Sequence, residues 1–455
     1  MHNIYIRFLE IMLYRFTIQN YCSFKEKNEF SLIASNEEHK SHLSTLGGFS
    51  VLRTAAIYGP NAAGKTKFIR ALDVLRGLVI GEFQINELPN QAFLLDSKTK
   101  NDPTMFIVEL IRKGELFQYG VVLSFSKGII LEEICRKWNP EVNKFETIFS
   151  RENVGDKVDI LTGDGYVLPE QRQKIDFIID EIKHSNTELA LSKLSQTKSL
   201  DCLLKDEVLQ VYEWFENLLI LSPNSRINLF RIVGKEDTNA LYTKYLKKFE
   251  LDIKGIELVE FNRDSVEIPE KTLLEIRKQL RETGRKHSAH FSSLKQDYLI
   301  KLDDNNELKI YGIRFRHEKN SNKASFKQND ESDGTMRIFD FIPLFSIISE
   351  KEAVVVIDEI DRSLHSQMTR HLIELFINMA GAHNCQLIFT THDVMLMSRG
   401  LLYPTEIWFV DKIEEVSSIY PLSKFDLSKL PKEMEYNYLL GRFNAIPFKH
   451  YGIIK

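Results

Sequence analysis

VLRTAAIYGPNAAGKT, residues 51–66, decides the fold. Residues 51–59 are mostly apolar and end on a glycine, as a buried strand running into a tight turn does, and a helix is expected from Lys65 to about Leu78. Residues 59–66 fit the pattern G-x-x-x-x-G-K-[ST] at the junction of the two. Strand, glycine loop and helix in that order set backbone amides at a positive helix end, where they can wrap a triphosphate. Gly59 and Gly64 allow the turn, and Pro60, Asn61, Ala62 and Ala63 form the body of the loop. Lys65 can reach outer phosphates, and Thr66 offers a hydroxyl to Mg2+. A chance glycine loop is the bland alternative, and the strand-to-helix context argues against it.

Three later stretches extend this reading. AVVVIDEID, residues 353–361, is an apolar strand ending in carboxylates, so Asp358 is a candidate to hold magnesium and Glu359 a candidate to activate water. Standing alone, the pair could equally be a solvated strand terminus; the glycine loop upstream decides between the readings. QLIFTTHD, residues 386–393, is a second apolar strand, and His392 at its end could touch a γ-phosphate and the attacking water as a neutral imidazole. A lone histidine is more often structural, but this one follows the carboxylate strand directly. ESDGTMRIFDF, residues 331–341, places Ser332, Gly334 and Thr335 at a helix start, where hydroxyl and amides can receive an anion or simply cap the helix.

The rest of the chain arranges itself around these stretches. Residues 13–32 alternate like a strand, and Met12 opens that pattern, so the residues before it read as an extension. Between Thr104 and Phe149, the runs MFIVELI, LFQYGVVLSF and GIILEEICRKW are parted by Lys-Gly turns and predict antiparallel hairpins. From 165 to 295 the long charged segments have helical spacing and predict a largely helical insert. Its basic run at 277–290 is a solvated helix face or, alternatively, a nucleic-acid contact. After Tyr298 strands return, and helix and strand then alternate as in a parallel α/β sheet. Three regions are therefore expected: 1–164 with the glycine loop and an antiparallel subdomain, 165–295 as the helical insert, and 296–455 completing the α/β sheet.

Composition excludes more than it selects. The 455 residues carry 60 basic and 64 acidic side chains, a formal net charge of −4, so no strong field announces a nucleic-acid or membrane partner. Cys22, Cys135, Cys202 and Cys385 form neither a CxxC zinc pair nor a dense disulfide framework, and a reducing, cytoplasmic setting is expected. The apolar run from Ile4 to Tyr14 is interrupted by Arg7 and Glu10 and has no small-residue cleavage site, so no signal peptide is expected. No run approaches the roughly 20 apolar residues of a membrane span.

Taken together, IYGPNAAGKT, ESDGTMR, VVVIDEIDRSLH, QLIFTTHD, IWFVDK and YLLGRFNAIP resemble ATP-binding cassette heads of the SMC and RecF type. The chain looks closest to the ABC-like AAA ATPases called family fifteen, which includes RloA-like proteins and relatives of the OLD ATPases. The resemblance runs from about Met12 to the C-terminus and is weakest in the insert. It implies an α/β head with an antiparallel β subdomain, ATP and Mg2+ as ligands, and a homodimer or higher homo-oligomer in which ATP is sandwiched. Ser332 and Gly334 of one copy would cap the γ-phosphate held by the other, and Asp361 would act across the same interface. A glutamine contacting magnesium is also implied, with Gln91 as the candidate. SDGT departs from the LSGGQ of transporters, and the insert is too short for an SMC coiled coil, so neither a transporter motor nor a long tether is expected.

The role implied is a sensor in antiphage defence that controls a separate nuclease. A DNA-repair ATPase acting on DNA ends and a slow ATP-dependent scaffold are the alternatives. No metal-binding acidic cluster for a nuclease stands after Tyr438.

Overall fold

A computed structural model of the chain describes residues 11–34, 40–154, 157–197, 202–223, 236–283, 288–292, 297–319, 322–350, 352–380, 384–398, 400–429 and 433–445. The chain divides into two compact units. The first comprises Met1–Pro223, Ile347–Asp361 and Leu372–Lys455, and the second Asn224–Ser346 and Arg362–His371.

The first unit opens with β1 (Ile11–Gln19), β2 (Asn28–Ser31), the hairpin β3 (Leu43–Leu46) and β4 (Phe49–Leu52), and β5 (Thr54–Tyr58). Helix α1 (Lys65–Ile80) follows the glycine loop. Next come β6 (Thr104–Arg112), β7 (Glu115–Ser124), β8 (Ile129–Asn139), β9 (Lys144–Val154) and β10 (Lys157–Thr162). They pair as a sheet of order β10-β9-β8-β7-β6-β1-β2, antiparallel throughout. Its inner face alternates apolar residues, such as Phe106, Val108 and Leu110 on β6, into the main core. There Phe68 of α1 meets Phe16, Phe24 and Phe30 edge-on.

Helices α2 (Arg172–Lys183), α3 (Ala190–Gln196) and α4 (Leu203–Glu216) continue this unit and are followed by β11 (Leu218–Leu221). Their apolar stripes, including Ile175, Leu194, Val208 and Trp214, join the same core as α1 and the sheet. The helical texture expected from 165 is present, but its first part packs with the first unit rather than with an insert.

The second unit contains α5 (Glu236–Lys248), β12 (Gly255–Phe261), α6 (Glu270–Thr283), β13 (Ala289–Ser292), β14 (Asp297–Leu302), β15 (Leu308–Lys319) and β16 (Asn322–Lys327). Strands β12-β15-β14-β13 are antiparallel, with β16 added to β15. β12 and β13 fall where helical spacing was expected. GIELVEF alternates with period two over too short a run to stand out between charged helices. The basic run is α6 up to Thr283 and β13 from Ala289, and residues 284–287 lie outside the described residues.

After α7 (Asp333–Glu350) come β17 (Val354–Ile357), α8 (Ser366–Ala380), β18 (Gln386–Thr390), β19 (Ile407–Ile413), β20 (Val416–Pro421) and α9 (Met434–Leu439). The second sheet of the first unit has the order β11-β17-β18-β5-β19-β20, parallel except for β20. β5, β17 and β18 are buried at every position, as central strands of a parallel sheet covered on both faces must be. Gln386 joins the two sheets. It accepts from Leu13 N–H at 2.8 Å and donates to the Leu13 and Leu52 carbonyls at 3.0 and 2.8 Å. In the final segment Tyr438 and Phe443 stack on Phe409 of β19; the last two residues of YLLGRFNAIP lie outside the described residues.

Candidate functional site

The strand order β17-β18-β5 brings the C-terminal ends of three strands side by side, and each carries one of the sequence motifs. A cavity of about 350 Å3 at these ends is lined by Asn61, Ala62, Gly64, Lys65, Thr66, Glu359 and His392, together with Ser23, Lys67 and Lys412.

The glycine loop is shaped by close approach. A β-carbon on Gly59 would come within 2.2 Å of the Val410 carbonyl, and one on Gly64, at φ +122°, would meet Ser417 Oγ at 2.7 Å. Ala62 also takes a left-handed conformation, with φ +62°. Ala63 N–H donates to the Pro60 carbonyl at 3.2 Å, closing the turn. Gly64 precedes α1 without a side-chain cap, so the first-turn amides are left for another acceptor at the wall of the cavity. Lys65 is buried, and its Nζ donates to the carbonyls of Gly59 at 2.7 Å and Pro60 at 3.1 Å. Burial lowers its pKa to about 8, with Asp358, Glu359 and Asp361 opposing the shift.

Asp358 is buried at the tip of β17, and its Oδ1 accepts from Thr390 Oγ1 at 2.5 Å. Glu359 has φ +52°, left-handed for a residue with a β-carbon, and its N–H donates to the same hydroxyl at 2.8 Å. Asp361 Oδ2 accepts from His392 N–H at 3.3 Å, while its Oδ1 is buried with no partner among the described residues. His392 lines the cavity. Its surroundings, and then the charge of Lys65, push its pKa below the ordinary histidine value despite nearby carboxylates, so the ring is neutral near pH 7.

Gln91 is not brought into this cluster, contrary to the expectation for a metal-contacting glutamine. Its side chain is buried, and Oε1, the atom a cation would need, accepts from Tyr21 Oη at 2.7 Å. Ser332 and Gly334 belong to the second unit. Ser332 Oγ accepts from Thr335 N–H at 3.1 Å and so caps α7, while a β-carbon on Gly334 would lie 2.9 Å from the Ser363 carbonyl.

Five residues here escaped the sequence reading: Ser23, Lys67, Thr390, Lys412 and Ser417. Lys412 lies inside IWFVDK, but nothing in that run signals a polar role, since only strand order places it at the glycine loop.

The donor set suits a nucleoside triphosphate with a hard cation. Amides at an uncapped helix end and the three lysines lining the cavity could take phosphates, and Thr66 and Asp358 offer the oxygen ligands that magnesium takes. No group of His, Cys, Asp or Glu among the described residues forms a separate metal cluster. Among them, too, no helix is long and apolar enough to cross a membrane.

The antiparallel sheet beside a parallel sheet whose strand ends carry a glycine loop, a carboxylate pair and a histidine defines an ABC-type P-loop ATPase head. The chain belongs to the family described as "AAA domain, putative AbiEii toxin, Type IV TA system", whose model matches residues 55–398. Among solved structures it is similar to the SMC head domain from Thermotoga maritima, at 13% identity over 90% of this chain and 98% of that one, with a TM-score of 0.40. It is also similar to the Smc head domain with an extended coiled coil bound to the C-terminal domain of ScpA from Pyrococcus furiosus, at 12% identity over 95% and 100% of the chains and a TM-score of 0.39. No curated protein matches.

Proposed function

We propose that this protein binds and hydrolyses ATP with magnesium at composite sites of a homodimer or higher assembly, and that this cycle regulates a separate nuclease in antiphage defence. The observation that carries the catalytic part is the convergence of Lys65, Thr66, Glu359 and His392 on one cavity, with Asp358 tied to the same Thr390 hydroxyl as the Glu359 N–H.

In this reading the amides of residues 61–66 and the Lys65 ammonium bind the phosphates. Magnesium, held by Thr66 and Asp358, supplies charge neutralisation at the phosphates. Glu359 orients the attacking water and takes its proton, and the neutral His392 ring meets the γ-phosphate end. Ser332 and Gly334 of a second copy complete the γ-phosphate shell. Asp361 acts across the same interface. The resemblance to RloA-like family-fifteen ATPases, and the AbiEii toxin named in the family's description, support the defence role.

The test is ATP turnover by the purified protein, followed by mass measurement of the complex isolated with its neighbouring gene product. Absence of ATP binding, or an assembly holding only one copy during turnover, would overturn the reading.

A further inference from the structure

Thr390 is the last residue of β18 and is fully buried. Its hydroxyl has a single proton. The Glu359 N–H, 2.8 Å away, can only donate, so the hydroxyl accepts there and directs its proton to Asp358 Oδ1 at 2.5 Å. The Thr390 carbonyl then accepts the next amide, Ile360 N–H, at 3.1 Å. Asp358 N–H goes the other way, to the Leu221 carbonyl of β11 at 2.9 Å. Three consecutive residues at the tip of β17 are therefore oriented by one threonine of the neighbouring strand. Continuing the parallel ladder would not need a side chain. One is used here because the Thr390 carbonyl is taken by Ile360 N–H as the chain turns at Glu359, φ +52°, which leaves the Glu359 N–H to the hydroxyl.

We infer that Thr390 is the positioning residue of the hydrolytic step, a role that rests on the ATPase reading above. Its one hydroxyl holds Glu359 in the left-handed turn that brings the carboxylate to the cavity. It also commits Oδ1 of Asp358, leaving Oδ2 as the oxygen available to a divalent cation. Metal ligand and water activator are thus set by the same atom, and loss of that atom disturbs both while leaving the phosphate loop alone.

The experiment compares Thr390→Val, which keeps the shape and removes the hydroxyl, with Thr390→Ser, which keeps the hydroxyl and removes a methyl. In Thr390→Val, turnover and the affinity for Mn2+ in the presence of a non-hydrolysable ATP analogue, read by electron paramagnetic resonance, should each fall about 10- to 100-fold, the usual effect of losing a partner behind a metal ligand. Metal-free binding of the analogue should change by less than about threefold, because uniform binding at the phosphate loop is retained. Thr390→Ser should recover most of both losses. Wild-type turnover and Mn2+ affinity in Thr390→Val would overturn the inference, as would a folded Thr390→Ser no better than Thr390→Val. If Thr390→Val does not fold, Thr390→Ser decides alone: near-normal Mn2+ affinity and turnover are expected, and their loss counts against the hydroxyl. Failure of the wild-type chain to bind ATP at all would instead remove the ATPase reading.

Discussion

Ser417 Oγ donates to the Ala63 carbonyl at 2.5 Å, so strand β20 holds the phosphate loop from 354 residues further along the chain. Ser417 Oγ also lies 2.8 Å from Ser23 Oγ, and Ser417 N–H donates to the Ser23 carbonyl at 2.7 Å. Ser417→Ala leaves a buried carbonyl without its partner, which costs about 1–3 kcal/mol. A lower melting temperature and weaker ATP binding are expected, with kcat at saturating ATP largely kept. An unchanged melting temperature would show that the bond contributes nothing.

Lys65→Ala removes the charge that faces the outer phosphates, and ATP binding should collapse while the fold survives, as checked by calorimetry and circular dichroism. The same residue predicts a pH dependence. In the free protein its pKa is lowered to about 8, so the ammonium is lost as pH rises through that value. Phosphates favour the charged form, so binding above pH 8 takes up a proton, and affinity falls by at most about tenfold per pH unit. A flat affinity from pH 7 to 9.5, or no proton uptake in buffers of different ionisation enthalpy, would contradict this.

Glu359→Gln keeps the shape of the site but cannot accept a proton from water. Hydrolysis should drop at least about a hundredfold while ATP stays bound, so the variant should be isolated with nucleotide in place. Normal turnover would assign the base elsewhere.

The composite site is best tested at Ser332 rather than Gly334, because a side chain at Gly334 presses on the Ser363 carbonyl of its own chain. Ser332 is exposed, and aspartate caps a helix as well as serine does, so Ser332→Asp retains α7 and sets a negative charge against an incoming γ-phosphate. One-sided ATP binding should persist and turnover should stop. Mixing Ser332→Asp with Lys65→Ala should restore partial hydrolysis, because some mixed pairs join an intact phosphate loop to an intact cap. Full activity of Ser332→Asp alone would refute the arrangement in trans.

By itself the sequence determined the motif-bearing stretches. A glycine loop between strand and helix, a valine run ending in Asp358-Glu359, and an apolar strand ending in His392 are local patterns, set by the short-range sterics of turns and by strand burial. Boundaries blurred where alternation was brief, as in GIELVEF. Only the tertiary structure decided which side chains serve those motifs. Strand order sets β18 between β17 and β5 and lays β20 against the phosphate loop, so Thr390, Ser417, Ser23 and Lys412 reach the site while Gln91 Oε1 is taken by Tyr21. The physical reason is range: a turn is specified within a few residues, whereas the partner of a buried hydroxyl or amide is whatever polar group the folded sheet brings within about 3 Å.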